Sequence, residues 1–177
     1  MNPSASLRES AVLIPVFRNA AGEATLVLVR RGDHGVHGGQ LAFPGGKRDP
    51  SDASLLATAL RETEEEIGLP ATAITVLAAL PPIQTRTTGF QIAPFLARIV
   101  PPSGWRFAQP EIAEVLEVPL RHLADPANAG QELWDFPDRP TPELISFWRV
   151  GSHYLWGASY RMLRPLLPRL LAGEWEL

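Results

Sequence analysis

The stretch Arg61 to Gly68 reads Arg-Glu-Thr-Glu-Glu-Glu-Ile-Gly, with four glutamates in five positions just ahead of a glycine. On a helix, which turns about 100° per residue, Glu62, Glu65 and Glu66 share a band about 100° wide, and Glu64 points away toward solvent. Like charges three and four positions apart repel, and the C-terminal end of a helix is already negative. Selection for helix stability alone would place such acids in the first turn. Arg61 can pair with one of them, but one guanidinium does not neutralise three carboxylates. A divalent cation does. Oxygen ligands with no histidine in the cluster select a hard ion, magnesium or manganese, over zinc. Magnesium shares its coordination with water and substrate phosphates, so these residues point to phosphate chemistry.

Other elements must hold that cluster in place. Residues 52–68 predict one long helix, with Asp52 or Ser54 capping its start and Gly68 with Pro70 closing it. Leu56, Leu60, Thr63 and Ile67 fall together as its core stripe. Two apolar runs, 11–17 and 24–31, flank turn residues and predict a hairpin. A glycine- and histidine-rich loop follows, then a brief strand Leu41-Ala42-Phe43 and a tight Pro-Gly-Gly turn. After the helix, residues 73–80 and 89–100 read as strands joined by a polar loop. Residues 110–125 hold a strand and a short helical turn, and 144–150 a further strand. The tail from Ala158 has helical spacing, with Pro165 and Pro168 expected to limit its regularity. The order β-β-α-β-β-β-α predicts an α+β domain with a mixed sheet.

Bulk properties narrow the class. A chain of 177 residues suits a single domain spanning 1–177, with residues 1–10 expected as a flexible tail. Hydrophobic content of 45% and charged content of 20% describe an ordinary soluble globular protein. A net charge of −3 gives no reason to expect nucleic-acid binding. The absence of cysteine excludes disulfides, thiolate zinc sites and cysteine nucleophiles. The first ten residues lack the apolar run of a signal peptide, and no stretch approaches the roughly 20 apolar residues of a membrane span. The expectation is a cytoplasmic protein without a membrane partner.

Residues 45–69 resemble the Nudix box: glycine, five residues, glutamate, seven residues, then R-E-U-x-E-E-x-G-U, where U is bulky and aliphatic. The second half matches from Arg61 through Leu69, with Thr63 at the first U. The first half departs, because Asp52 stands in place of the glutamate and eight residues separate it from Arg61. The resemblance implies a Nudix-type α/β/α sandwich and hydrolysis of a nucleoside diphosphate linked to another group. It implies that Glu65 and Glu66 are the principal metal ligands and Glu62 a further ligand or the general base. Arg61 would hold the carboxylates in place, and the Gly46 carbonyl would complete a metal's shell. Glu62 and Glu65, with Arg61, are the catalytic candidates.

Upstream, residues 26–46 resemble the motif of the coenzyme A–cleaving Nudix branch. Arg30, Gly39, Phe43, Pro44, Gly45 and Gly46 match in register, and His37 and Gln40 are also similar to that branch. Arg31 replaces a serine or alanine, and Gly35 stands where the branch has an arginine, which Arg31 can replace from another direction. This resemblance implies hydrolysis of coenzyme A or its thioesters to 4′-phosphopantetheine and 3′,5′-ADP, with Mg2+ or Mn2+ as cofactor. Arg30, Arg31, Gln40, Gly45, Lys47 and Arg86 are the substrate-binding candidates, with Arg48 a further partner for phosphate. A coenzyme A-like diphosphate is the expected partner, and a homodimer is an open option. His34 and His37 read as solvated loop residues, and Phe147, Trp148, Tyr154 and Trp156 as packing residues. Two rivals remain: a Nudix pyrophosphatase acting on ADP-ribose or another nucleoside diphosphate derivative, and a non-catalytic nucleotide-binding regulatory domain.

Overall fold

In a computed structural model the structure describes residues 7–33, 38–85 and 89–177. The two apolar runs form β1 (Arg8–Arg18) and β2 (Ala24–Arg31), paired antiparallel through Val16↔Leu26. β1 therefore starts inside the segment expected as a tail. β1 and β2 pair directly only where β1 ends and β2 begins. Beyond that they splay, and two short strands fill the gap: β3 (Leu41–Ala42) against β2, and β4 (Gly45–Lys47) against β1. The expected Pro-Gly-Gly turn is thus partly strand, since the Gly45 and Gly46 backbone completes the β1 ladder.

Helix α1 (Leu55–Ile67) follows. The Ser54 hydroxyl accepts from the Ala57 N–H at 3.1 Å, so Ser54 and not Asp52 is the cap. Gly68 ends the helix at φ 67°, a left-handed conformation that suits glycine. Next come β5 (Ile74–Ala79), β6 (Ile83–Gln84), β7 (Phe90–Ile99) and β8 (Ile112–Pro119). β1 and β7 run parallel and the remaining pairs antiparallel, giving the expected mixed sheet.

A short α2 (Leu120–Ala124) leads into a second sheet: β9 (Ala129–Trp134), β10 (Glu143–Val150) and β11 (His153–Leu155). β9 and β11 were not anticipated, because their period-two pattern is broken by polar and turn residues. The final helix, α3 (Gly157–Leu171), continues through Pro165 and Pro168 despite the expected irregularity. Its buried side chains Met162, Leu163, Leu166, Leu167 and Leu170 hold it against the body while the missing N–H donors face outward.

Side chains alternate across β1 and β2, so the main sheet has two cores. Ile14, Val16, Leu26 and Leu28 pack with α2, α3 and the small sheet. Phe17, Val27 and Val29 pack with Ile67, Leu69 and the β7–β8 loop. The result is an α/β/α sandwich. Trp148 joins the first core, and Phe147, Trp134 and Tyr154 form an aromatic cluster on the other face of the small sheet, with Phe147 and Trp134 stacked at 5.7 Å. Among the described residues no helix is long and apolar enough to cross a membrane. Replacing the fully buried Leu163 with alanine should cost about 2–5 kcal/mol, read as a lower urea midpoint with unchanged slope.

Candidate active site

Helix α1 lies over β1 and β4, and its buried face is Thr58, Ala59, Thr63, Glu66 and Ile67. Leu56 and Leu60 are only partly covered, so the inward stripe sits closer to Glu66 than the helical wheel implied. Glu66 is 3% exposed, and its Oε2 accepts the Gly45 N–H at 2.9 Å. Glu62 lies one turn back, with its carboxyl against Gly46. A β-carbon on Gly46 would stand 2.5 Å from the Glu62 carboxyl carbon, so only glycine leaves this acid its seat. Two consecutive glycines of β4 thus receive two acids of α1.

The third acid behaves differently. Glu65 is 60% exposed at its side chain and is drawn aside by Arg61 at 3.0 Å, while Glu62 also meets Arg61 at 3.1 Å. Among the described residues no three acidic or histidine side chains converge closely enough to cage a metal ion. The three-way convergence expected from the helical wheel is therefore not preassembled among the described residues; one Arg61 nitrogen bridges Glu62 and Glu65, the two more exposed acids.

Asp52 resolves the irregular first half of the motif. Arg61 Nε donates to Asp52 Oδ1 at 2.9 Å and a terminal nitrogen to Oδ2 at 3.0 Å, a two-pronged pair. Oδ2 also accepts from the Thr58 hydroxyl at 2.8 Å and the Asp49 N–H at 2.9 Å. The Asp49–Asp52 turn takes up the extra residue, and the shorter aspartate still reaches the guanidinium. The second terminal contact of Arg61 is the Lys47 carbonyl at 3.2 Å. Arg61 thereby ties α1, the preceding loop and β4 together.

The substrate-binding candidates divide between the two sides of the sheet. Arg31 lies on the α1 side, where its charge acts on Glu66, and it pairs with Glu111 at 3.9 Å. Arg30 pairs with Asp33 at 3.2 Å and Glu114 at 3.6 Å. The Gln40 carbonyl accepts the Arg31 N–H at 3.0 Å, so Gln40 braces β2 through its backbone. The Lys47 ammonium sits 5.7 Å from the Phe90 ring centroid. Arg48 is engaged by Glu9 at 2.7 Å. Arg86, His34, Gly35 and His37 lie outside the described residues.

Sequence reasoning missed Glu111. It stands at the end of the β7–β8 loop, and its charge bears on both Glu62 and Glu66. Its carbonyl accepts the Gly32 N–H at 2.7 Å, and the Ala108 N–H caps the Glu66 carbonyl at 3.0 Å, so this loop closes over the end of α1. No local spacing marks Glu111; a register shift between Arg30 and Arg31 in the β2–β8 pairing brings it there.

Electrostatics follow from this packing. Burial pushes the Glu66 carboxyl up to about 7; the Gly45 N–H and Arg31 oppose the rise, and Glu62 and Glu111 add to it. Burial also raises Glu62, against the pull of Arg61. Arg61 holds Asp52 well below the usual carboxylate range, helped by the Asp49 N–H and Thr58 and opposed by burial. The buried acids thus lack sufficient positive charge, and they carry only oxygen donors. That donor set fits a hard divalent cation, which would sit by Glu66, Glu62 and the Gly46 carbonyl.

Two outcomes follow for the metal-free protein. Glu66 favours its neutral form when folded, so stability is unpenalised below the ordinary value of 4.5 and falls as pH rises through about 7. The decline should be roughly 2–4 kcal/mol and disappear in Glu66→Gln, measured by urea titration from pH 4.5 to 8.5; an identical slope in the variant contradicts it. Asp52 has the opposite sign. Its contribution is present above its ordinary value of 3.8 and lost as pH falls below that, so Asp52→Asn should lower Tm at neutral pH and flatten the acid limb.

Comparison with known proteins identifies the family and the fold. A family model described as the NUDIX domain matches residues 7–137. A Salmonella paratyphi B protein named an uncharacterized Nudix hydrolase, NudL, is 38% identical over 161 residues, covering 90% of this chain and 81% of the relative. A Salmonella newport protein of the same name matches equally. Among solved structures, the Nudix hydrolase RenU of M. smegmatis superposes with a TM-score of 0.64 at 20% identity, covering 97% of this chain and 89% of that one. The NUDIX domain of Shewanella oneidensis NrtR, complexed with ADP ribose, gives 0.52 at 18% identity over 70% of this chain and 82% of that one. At such identities the structural likeness is one of fold. Sequence family, fold and the α1–β4 acid site together show that this chain belongs to the Nudix hydrolases, a family that acts on nucleoside diphosphate derivatives with divalent cations.

Proposed function

We propose that this protein hydrolyses the diphosphate bond of coenzyme A or its thioesters, using Mg2+ or Mn2+, to give 4′-phosphopantetheine or its acyl form and 3′,5′-ADP. The observation that carries the reading is the seating of Glu62 and Glu66 on Gly46 and Gly45. Those glycines end the Phe43–Gly46 stretch that resembles the coenzyme A–cleaving branch, so the acid site and the substrate motif are one piece of backbone.

The chain's own residues divide the work. Glu66, Glu62 and the Gly46 carbonyl would hold the cation, with Glu65 joining once it leaves Arg61. When bound, the cation supplies charge neutralisation at the diphosphate oxygens and a lowered pKa for water. Glu62 or Glu65 accepts the proton from the attacking water; burial raises Glu62, which suits a base working near neutrality. Arg61 fixes the spacing of the acids through Asp52 and Lys47. Arg31, on the α1 side beside Glu66, supplies positive charge toward the diphosphate.

The rival substrate is ADP-ribose, favoured by the absence of the branch arginine at Gly35. Purified protein incubated with coenzyme A and magnesium should release 3′,5′-ADP, identified by mass spectrometry, and should do so in preference to cleaving ADP-ribose. Glu66→Gln should fold and lose roughly a hundredfold or more in turnover. Preferential cleavage of ADP-ribose would overturn the substrate, and near-native activity of the variant under saturating magnesium would overturn the metal site.

A further inference from the structure

Two arginines stand near the acids of α1, and each is paired with an acid that lies outside that helix. Arg61 has Asp52. Arg31 has Glu111, at 3.9 Å. The second pair is arranged by the backbone. Val27, Val29 and Arg31 alternate along β2 on the face that packs with Ile67, the residue after Glu66. In plain register β8 would not bring Glu111 to that face. Arg30 pairs with Glu114 but Arg31 with Ile112, so Ala113 is an extra residue in the ladder. Such a bulge re-aims the side chains that precede it. Here it returns Ile112 to the α1 side, fully buried with Val29 and Ile67, and sets Glu111 beside Arg31. The approach requires glycine at position 32, where a β-carbon would stand 1.9 Å from the Pro110 carbonyl oxygen. The Gly32 N–H donates to the Glu111 carbonyl at 2.7 Å, and the Ala108 N–H to the Glu66 carbonyl at 3.0 Å. One loop is thus tied to the end of β2 and to the end of α1.

Arg31 therefore stands between two acids. Glu66 is 3% exposed and accepts the Gly45 N–H, whereas the Glu111 side chain is 60% exposed. A buried carboxylate attracts a guanidinium more strongly than an exposed one, because little solvent screens the pair. With no other acid in reach, Arg31 would turn inward, neutralise Glu66 and occupy the space that a cation needs. An open cleft of ≈ 250 Å³, lined by Arg31, Gly32, Pro110 and Glu111, leaves the side chain room to move. Yet among the described residues the carboxylate within ion-pair distance of Arg31 is Glu111. Arg30, on the opposite face of β2, is engaged by Asp33 and Glu114 and does not compete for it.

We propose that Glu111 is a positioning residue: its carboxylate holds the Arg31 guanidinium off Glu66, so that Glu66 stays clear for a divalent cation and Arg31 stays turned toward an incoming diphosphate. The role rests on the cation site and the diphosphate chemistry read above, and it holds whichever nucleotide carries that diphosphate. It gives a task to an acid that would otherwise only repel an anionic substrate. It also accounts for the bulge and the glycine that bring the loop against β2.

Calorimetric titration of Mn2+ into the substrate-free chain tests it, on the wild type, Glu111→Gln, Arg31→Gln and the double variant. Glu111→Gln should lower Mn2+ affinity about tenfold, because Arg31 falls onto Glu66. With Arg31→Gln in place, the same substitution should change affinity by less than about twofold, since no guanidinium is left to hold. Glu111→Asp should recover most of the wild-type affinity. The urea midpoint of metal-free Glu111→Gln should be no lower than that of the wild type, because backbone bonds hold the loop and the inward pair relieves Glu66. Wild-type affinity in Glu111→Gln overturns the positioning role and leaves the cation site standing. An equal loss with and without Arg31 also overturns it, since Glu111 then acts on the cation directly. A lowered midpoint overturns it as well, because the loop and not Arg31 is then at fault. Absence of Mn2+ binding in the wild type, matched by Glu66→Gln, overturns the cation site and the positioning role with it.

Discussion

A single guanidinium organises this molecule. Arg61 binds both oxygens of Asp52, a carbonyl of β4, and the carboxyls of Glu62 and Glu65. Each of these partners belongs to a different local problem: closing a loop, docking a helix on a strand, and holding acids that repel one another. Arginine suits the task because its planar fork presents five donors in fixed directions and remains charged at any working pH. A lysine concentrates its three donors on one atom and lacks the planar fork that grips both Asp52 oxygens. The two-pronged contact with Asp52 also fixes the side chain's orientation, so the nitrogen toward Glu62 and Glu65 is aimed before any ligand arrives.

The buried carboxyl of Glu66 is the counterpart of that order. It occupies a helix position whose neighbours are Thr63 and Ile67, where an apolar side chain would pack without electrostatic cost. One backbone N–H from Gly45 is its direct hydrogen-bond donor, and the Arg31 charge reaches it from β2. Such a group is unfavourable for folding and favourable for binding a cation. The same penalty that weakens the fold would become affinity once positive charge is supplied, because the carboxyl is already desolvated.

Charged side chains lie on both faces of the main sheet. On the α1 side lie the acids, Arg31 and Glu111; on the α3 side lie Arg8, Lys47 and Phe90. The splay between β1 and β2 makes room for β3 and β4. Because β3 and β4 fill the gap as short strands, the β4 glycines come beneath α1, where the Gly45 N–H meets Glu66 and Gly46 lies against Glu62. A continuous β1–β2 ladder would have left those glycines no place against β1.

Much of this was legible in the residues alone. The acid run, the arginine ahead of it and the glycine behind it are local, so helical periodicity was sufficient to read α1, its end and the identity of its chemistry. Mixed-sheet α+β architecture followed from the order of apolar runs for the same reason. Long-range packing decided the rest. Whether Glu65 or Glu66 is buried depends on which face α1 turns toward β1 and β4, and that face carries Ala59, Thr63 and Glu66. The role of Asp52 was ambiguous because its partner lies across a turn whose geometry absorbs one extra residue. Glu111 carried no local signal. A strand register between segments far apart in the chain brings it beside the acids, and periodicity within one segment holds no information about its neighbour's register.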